Sequence, residues 1–194
     1  MHPPLVIKAP PLDADRSIAA LTTAFISDPL LRWMFPEPEE YLAHFGPLVR
    51  FFGGRAFEHD SAYRTDDFGA AAFWLPPGVK PDEDAMGELL QSVIPEDRHE
   101  EIFGLLEQVG NSHPDVEHWH LPVIGVDPRH QGAGYGTALL KHSLEVCDLS
   151  HQAAYLESSS PRNVSLYRRF GFEIIGEIQS GSSPVILPML RPAR

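Results

Sequence analysis

Cysteine is almost absent from this 194-residue chain, with Cys147 the single thiol. That excludes an internal disulfide and a cysteine zinc cage, and its setting among Leu144, Val146 and Leu149 on a predicted helix points to a buried core position. Long apolar runs are missing too. None approaches the roughly twenty residues that a membrane span requires, and Met1-His2-Pro3-Pro4 has neither the basic start nor the apolar stretch of a signal peptide. The chain is therefore expected to be soluble and cytoplasmic, with no membrane partner. Positive charge is scarce: 15 Lys and Arg stand against 27 Asp and Glu, a net of −12. Nucleic-acid binding is excluded on that ground, because phosphate neutralisation needs clustered Lys and Arg. Repeats and low-complexity tracts are lacking, and the length suits one domain, residues 1–194, with a full core.

Acidic residues, by contrast, are concentrated. Between Pro77 and Glu117 eleven Asp and Glu face only Lys80 and Arg98, a local net of −9. Such a segment is either a solvated helical face or a field that attracts a cationic amine.

The most informative stretch is Val126-Asp127-Pro128-Arg129-His130-Gln131-Gly132-Ala133-Gly134-Tyr135-Gly136-Thr137, followed by Ala138-Leu139-Leu140. It sets three glycines at the mouth of a predicted helix, where free N–H groups and the positive end of the helix dipole hold an anion. A P-loop would need Lys-Ser or Lys-Thr after its last glycine, and Gly136 is followed by Thr137-Ala138. A dinucleotide fingerprint would need G-x-G-x-x-G straight after a strand, whereas these glycines alternate and Pro128 to Gln131 intervene. Downstream lies Leu156-Glu157-Ser158-Ser159-Ser160-Pro161-Arg162-Asn163-Val164-Ser165-Leu166-Tyr167-Arg168-Arg169-Phe170-Gly171-Phe172. Here Asn163 and Tyr167 share a helix face at i, i+4.

Together these segments resemble the two halves of the cofactor site in the GNAT superfamily of acyl-CoA-dependent N-acyltransferases. The first matches its Val-x-Pro and Q-x-x-G-x-G signature through Val126, Pro128, Gln131, Gly134 and Gly136. The second matches its strand, Asn, Tyr and Gly-Phe order. The C-terminal half is similar to the puromycin N-acetyltransferase branch, through the Gly-Val-x-Pro-x-His-Gln-Gly, Leu-Glu-x-Ser-x-Pro-Arg-Asn and Tyr-x-Arg-x-Gly-Phe runs. The resemblance implies an α/β (α+β) GNAT fold: a mixed central sheet flanked by helices on both faces, with a helical insertion before the fourth strand. It also implies acetyl-CoA as acyl donor, no metal, and cofactor contacts from Ile124, Gly125, Val126, Gln131, Gly132, Ala133, Gly134, Tyr135, Gly136, Thr137 and Asn163.

The residue pattern agrees with that architecture. Leu5 to Lys8 reads as a strand, and Asp13 as the cap of a helix carrying Ile18, Leu21, Phe25 and Ile26. Asp28-Pro29 breaks it, a short helical piece follows, and a longer helix runs from about Glu39 to His59. Ala62 to Thr65 and Ala70 to Leu75 form a hairpin. Two acidic helices divided near Pro95 precede a strand from His118 to Val126. After a helix from Gly134 to Leu149 come a strand from Ala153 to Glu157, a helix from Arg162 to Phe170, and a closing hairpin of Phe172 to Ile178 with Val185 to Leu190. In the strand entering the glycine loop the apolar phase slips near Val123. A bulge there would leave backbone groups ready to receive a pantetheine arm like another strand; the alternative is a strand apolar on both faces.

An aliphatic ammonium gives up its proton only about once in 2,500 at neutral pH, a penalty of roughly 4.6 kcal/mol, so N-acylation benefits from a base. His120, eleven residues before Gln131, is the candidate, in a place where several GNAT enzymes carry a His or Glu base; Glu117 and Glu157 are alternatives. His118-x-His120 could also be half of a zinc site, although no third ligand is evident in the sequence. Tyr167 matches the family's proton donor to the departing sulfur. The function read is acetyl transfer from acetyl-CoA to a primary amine, with a small molecule as acceptor, by direct attack in a ternary complex. A protein lysine or N-terminal acetyltransferase, a silent acyl-CoA-binding module and a nucleotide-binding domain stay open as alternatives. Oligomeric state is not encoded legibly.

Overall fold

The computed structural model describes residues 4–194. Its strands are β1 (Val6–Lys8), β2 (Ala62–Thr65), β3 (Ala70–Leu75), β4 (His118–Val126), β5 (Ala153–Ser158), β6 (Glu173–Ile174) and β7 (Leu187–Arg191). The helices are α1 (Ala14–Ala24), α2 (Pro29–Met34), α3 (Pro38–Gly53), α4 (Glu83–Val93), α5 (His99–Asn111), α6 (Tyr135–Ser143), α7 (Glu145–Leu149) and α8 (Val164–Arg169). The strands form one seven-stranded sheet in the order β1-β2-β3-β4-β5-β7-β6. All pairings are antiparallel except β4 with β5, which is parallel.

Period-2 alternation in β3 shows why both faces are covered. Ala71, Phe73 and Leu75 join a core built with α1 to α5, while Ala70, Ala72 and Trp74 join a second core with α6 and α8. All six are buried, as expected of a central strand between two helical layers. Cys147 lies in the second core, and burial pushes its thiol up to about 12, so it is inert at neutral pH. Among the described residues no helix is long and apolar enough to cross a membrane.

Several local expectations change: the helix expected from Gly134 to Leu149 divides into α6 and α7, and the strand expected from Phe172 to Ile178 shortens to Glu173–Ile174. Asp13 precedes α1 but makes no side-chain cap; its carboxylate instead pairs with Arg64 of β2 at 2.7 Å, tying the helix entrance to the sheet. The helix expected to reach His59 ends at Gly53 and tightens into a 3-10 turn over Gly54–Phe57. There α3 meets β4: a Cβ on Gly53 would stand 3.2 Å from Val123 and 3.3 Å from Pro122.

The phase slip in β4 is a bulge. Phe73 pairs with Val123 but Leu75 pairs with His120, so one extra residue of β4 is accommodated around Leu121 and Pro122. Pro122 has no N–H to contribute to a ladder at that point. Trp119 and Leu121 consequently face the second core, Val123 the first, and Ile124 and Val126 pack on the second again. The parallel β4–β5 pairing covers only His118, Trp119 and His120. Beyond His120 the two strands part.

Candidate active site

The glycine loop is a set of free backbone donors held on a stiff support. After a short 3-10 turn at Pro128–His130, Gly132 and Gly134 take left-handed conformations, with φ of 77° and 89°. Open space surrounds the position of a Cβ on either one. Gly134 is the N-cap of α6, so the N–H groups of Tyr135, Gly136 and Thr137 find no acceptor among the described residues. Gln131, Gly132, Ala133 and Gly134 are exposed. The Gln131 side chain turns back, its Nε2 donating to the Val126 carbonyl at 3.2 Å, and thereby fixes the loop to the end of β4.

The support comes from the β2–β3 turn. Tyr135 stacks on His130 with ring centroids 4.6 Å apart and donates its hydroxyl proton to Asp67 at 2.7 Å. Gly69 passes so close beneath this pair that a Cβ would sit 2.6 Å from His130 and 2.8 Å from Tyr135. Two other glycines of the region serve packing. A Cβ on Gly125 would press on Ala24 of α1 at 2.8 Å, and one on Gly136 on Leu166 of α8 at 3.2 Å. Asp127 accepts from Arg129, whose guanidinium holds its carboxyl down to about 2.

From the parting of β4 and β5 a cavity of about 760 Å³ opens toward α2, α4 and α5. Its walls are mainly apolar, with Phe25, Phe52, Met86, Leu90 and Leu106 contributing, and four exposed carboxylates (Glu83, Glu107, Asp115 and Glu117) also line it. Ile124, Asn163 and Tyr167 reach the same space. Asn163 and Tyr167 lie one turn apart on α8 and its entrance, as their spacing requires. Tyr167 is buried; that burial first, and the negative charge of Asp28 second, raise its pKa above the ordinary phenol value. Asp28 caps α2, accepting from Leu30 and Leu31 at 3.0 and 3.2 Å, and also accepts from Ser159 beyond β5 at 2.6 Å. The start of α2 thus touches the strand end that carries the second motif.

His120 and Glu157 form the polar floor. His120 Nε2 lies 2.9 Å from Glu157 Oε2, both side chains are nearly inaccessible, and the edge of Phe52 closes over the imidazole at 5.9 Å. Burial pushes the Glu157 pKa up, but the His120 charge and hydrogen bond, backed by His113, more than reverse it, and the carboxyl is held below its ordinary value. An ionised carboxylate only accepts, so Nε2 carries the ring proton and Nδ1 is the basic nitrogen of His120. His113 completes the group, its Nε2 3.4 Å from Glu157 Oε1. Desolvation lowers the His113 pKa to about 4. His118 does not belong to the group of possible metal ligands that contains His120. That group is His113, His120 and Glu157. The sequence reading assigns no site role to His113 or Asp28; each belongs to a segment whose path into the site depends on packing rather than on a motif.

This geometry has relatives. Residues 93–174, from the last residue of α4 to the end of β6, match the family described as the acetyltransferase (GNAT) domain. That span contains both the glycine loop and the Asn163–Tyr167 segment. It is 26% identical over 176 residues, 82% of this chain and 70% of the relative, to an uncharacterized N-acetyltransferase of Schizosaccharomyces pombe. Among solved structures, a Corynebacterium glutamicum protein described as histone acetyltransferase and related acetyltransferase superposes with a TM-score of 0.71 at 24% identity, covering 100% of this chain and 98% of that one. The polyamine N-acetyltransferase of Drosophila melanogaster gives 0.68 at 17% identity, covering 96% and 98%. GNAT acetyltransferases use acetyl-CoA as acyl donor, and the free amides of the α6 entrance together with the parted β4 and β5 suit its phosphates and amide arm.

Proposed function

We infer that this GNAT-type acetyltransferase transfers an acetyl group from acetyl-CoA to the primary amine of a small molecule, by direct attack in a ternary complex. The observation that carries the reading is the convergence of His120, Glu157 and Tyr167 on one cavity where β4 and β5 part. Bound acetyl-CoA supplies an activated thioester carbonyl; the chain's own residues handle the protons. Glu157 holds Nε2–H of His120 and stabilises the imidazolium, so Nδ1 takes the proton that the attacking amine loses. Tyr167, kept protonated by burial and by Asp28, donates a hydrogen bond to the sulfur as it leaves. Full proton transfer from an ordinary phenol to a thiolate is uphill by about 2 kcal/mol, so hydrogen-bond stabilisation is the step assigned to it.

The one sheet that runs from Val6 to Arg191 supports a single domain over residues 1–194. Cofactor contacts are assigned to Ile124, Gly125, Val126, the Gln131 to Thr137 loop and Asn163. The acceptor is a cationic amine with an apolar body: carboxylates line the cavity while its walls are hydrocarbon and aromatic. A polyamine, the acceptor named for the Drosophila enzyme, shares the charge but leaves those walls uncovered. The runs shared with the puromycin branch make an aminonucleoside one member of the class to test. The test is thiol release from acetyl-CoA across arylalkylamines, aminonucleosides, polyamines, aminoglycosides and lysine peptides. Highest kcat/KM with amines carrying an aromatic or alkyl body supports the reading; preference for lysine peptides replaces it with protein acetylation.

A further inference from the structure

The hydrogen-bond order behind the catalytic floor leaves two lone pairs facing each other. The Val116 carbonyl lies 2.7 Å from His118 Nδ1 and can only accept, so that nitrogen carries the proton and His118 Nε2 is an acceptor. His118 Nε2 in turn lies 3.1 Å from His113 Nδ1, which must therefore donate, leaving His113 Nε2 without a proton. That bare nitrogen points at Glu157 Oε1, 3.4 Å away, another acceptor, buried and without a hydrogen-bond partner. Among the described residues no Lys or Arg pairs with Glu157. On the other side of the same carboxylate, Oε2 meets His120 Nε2 at 2.9 Å.

We propose that His113, His120 and Glu157 form a three-ligand site for a divalent transition metal of the zinc type, whose occupancy blocks the acetyl-transfer base. One donor atom from each residue lies within 4.8 Å of the others. Metal bonds of about 2.0–2.1 Å in a tetrahedral site place ligand atoms about 3.3–3.4 Å apart, so a separation at the 4.8 Å limit of the cluster closes by about 1.4 Å through side-chain rotation as the metal binds. Two imidazoles and one carboxylate are a donor set for zinc, cobalt or copper rather than magnesium or calcium. The proton arrangement is already suitable. His113 presents its lone pair inward because His118, held by Val116, orders its other nitrogen, as outer hydrogen bonds do around metal ligands. His120 binds by moving its proton from Nε2 to Nδ1, a tautomer change with no net release. All three residues line the acceptor cavity, so the fourth position opens there to water or to an amine nitrogen. In the metal-bound form Glu157 and His120 Nε2 are ligated and Nδ1 is protonated. The base is removed.

The site shares residues with the proposed base but is read by binding alone, without donor or acceptor, so its failure and that of the acetyltransferase reading are separable. Chelator-treated protein is titrated with Zn2+ by calorimetry and with Co2+ by visible absorption. The expected results are one tight equivalent of Zn2+, a cobalt spectrum of tetrahedral intensity, and loss of both in His113→Gln, with affinity down at least tenfold. His118→Asn, which touches no metal, should weaken binding about tenfold by freeing the His113 ring. Metal-free melting of each variant at the parent temperature shows that loss of binding is not loss of fold; should His113→Gln melt early, His118→Asn decides alone. Absence of a tight equivalent, or parental affinity in whichever variant is decisive, overturns the site.

Discussion

The two halves of the site are built by different means. The half proposed for the cofactor is made of backbone: exposed amides at the mouth of α6, two left-handed glycines with open space around them, and a stacked His130–Tyr135 pair braced on Gly69. The half proposed for the acceptor is made of side chains from segments far apart in sequence: Asp28 beside Ser159, Phe52 over His120, His113 against Glu157. Backbone sites depend on where glycine stands and tolerate change in the remaining side chains. Side-chain sites depend on identity at every contact, and there one substitution alters chemistry or specificity.

The largest effect should come from the acceptor half. Glu157→Gln keeps a hydrogen-bond acceptor for His120 but removes the charge that stabilises its imidazolium. kcat is expected to fall about 10²- to 10⁴-fold, and His120→Ala should do the same. Acetyl-CoA should still raise the melting temperature of both variants as it raises the parent's. A variant retaining more than a tenth of parental kcat would move the base elsewhere, with Glu117 as the remaining candidate on this strand's approach. Tyr167→Phe follows, with kcat lower by about 10- to 1,000-fold and little change in cofactor affinity, the pattern of an interaction made chiefly in the transition state.

Gly134→Val tests the opposite half. A branched side chain at φ of 89° is strained, and it fills the space above the free amides. Acetyl-CoA should no longer raise the melting temperature, whereas in the parent it should do so by mass action and ATP should not. Retained stabilisation would mean that the phosphates sit elsewhere.

The contrast also sorts what was legible from sequence. Backbone geometry is written in glycine spacing, so the turn from Gln131 to Thr137 is legible, and the slip of apolar phase between Val123 and Ile124 suggests the bulge that the register shows, with a strand apolar on both faces as the alternative. The strands and the two acidic helices followed from periodicity and from Pro95. His113 could not be read: it precedes β4 in a loop, and only the path of α5 and the parallel register of β4 with β5 bring it to Glu157. Asp28 was legible as a helix break, yet its contact with Ser159, 131 residues away, is a product of packing. Asp13 looked like a cap and spends its carboxylate on Arg64 instead, because a strand partner outcompetes a local amide. The acidic segment divides in the same manner. Glu83, Glu107, Asp115 and Glu117 face the cavity, while Asp82 caps α4 through Ala85 and Glu101 accepts from Ser182.

That division sets the charge experiment. Glu83→Gln, Glu107→Gln and Glu117→Gln together leave the cap intact and should lower kcat/KM for a cationic amine several-fold at low salt, an effect screened over about 8 Å at physiological ionic strength. Neutral-bodied amines of equal length should lose the same factor, because the field acts on the ammonium alone. An unchanged, salt-independent kcat/KM would leave these carboxylates with solubility as their role and the apolar walls as the whole of specificity.

The smallest expected effect lies where the two halves touch. Burial raises the Asp28 pKa above its ordinary value, its hydrogen bonds only partly opposing this. The sign follows: a carboxyl whose pKa is raised on folding binds protons more tightly in the native state, so its contribution is greatest below the ordinary value of 3.8 and is lost as pH rises through the folded pKa. At neutral pH the charge is a burden that the hydrogen bonds from Ser159, Leu31 and Leu30 only partly offset. Asp28→Asn keeps an oxygen for those caps and removes the charge, so stability should be unchanged or slightly higher by thermal melting, and the Tyr167 phenol should ionise more readily. Asp28→Ala removes the caps as well and should cost about 1 kcal/mol. If the two variants melt at the same temperature, the α2 cap contributes nothing to stability, and the role left to Asp28 is its Ser159 hydrogen bond to the second motif.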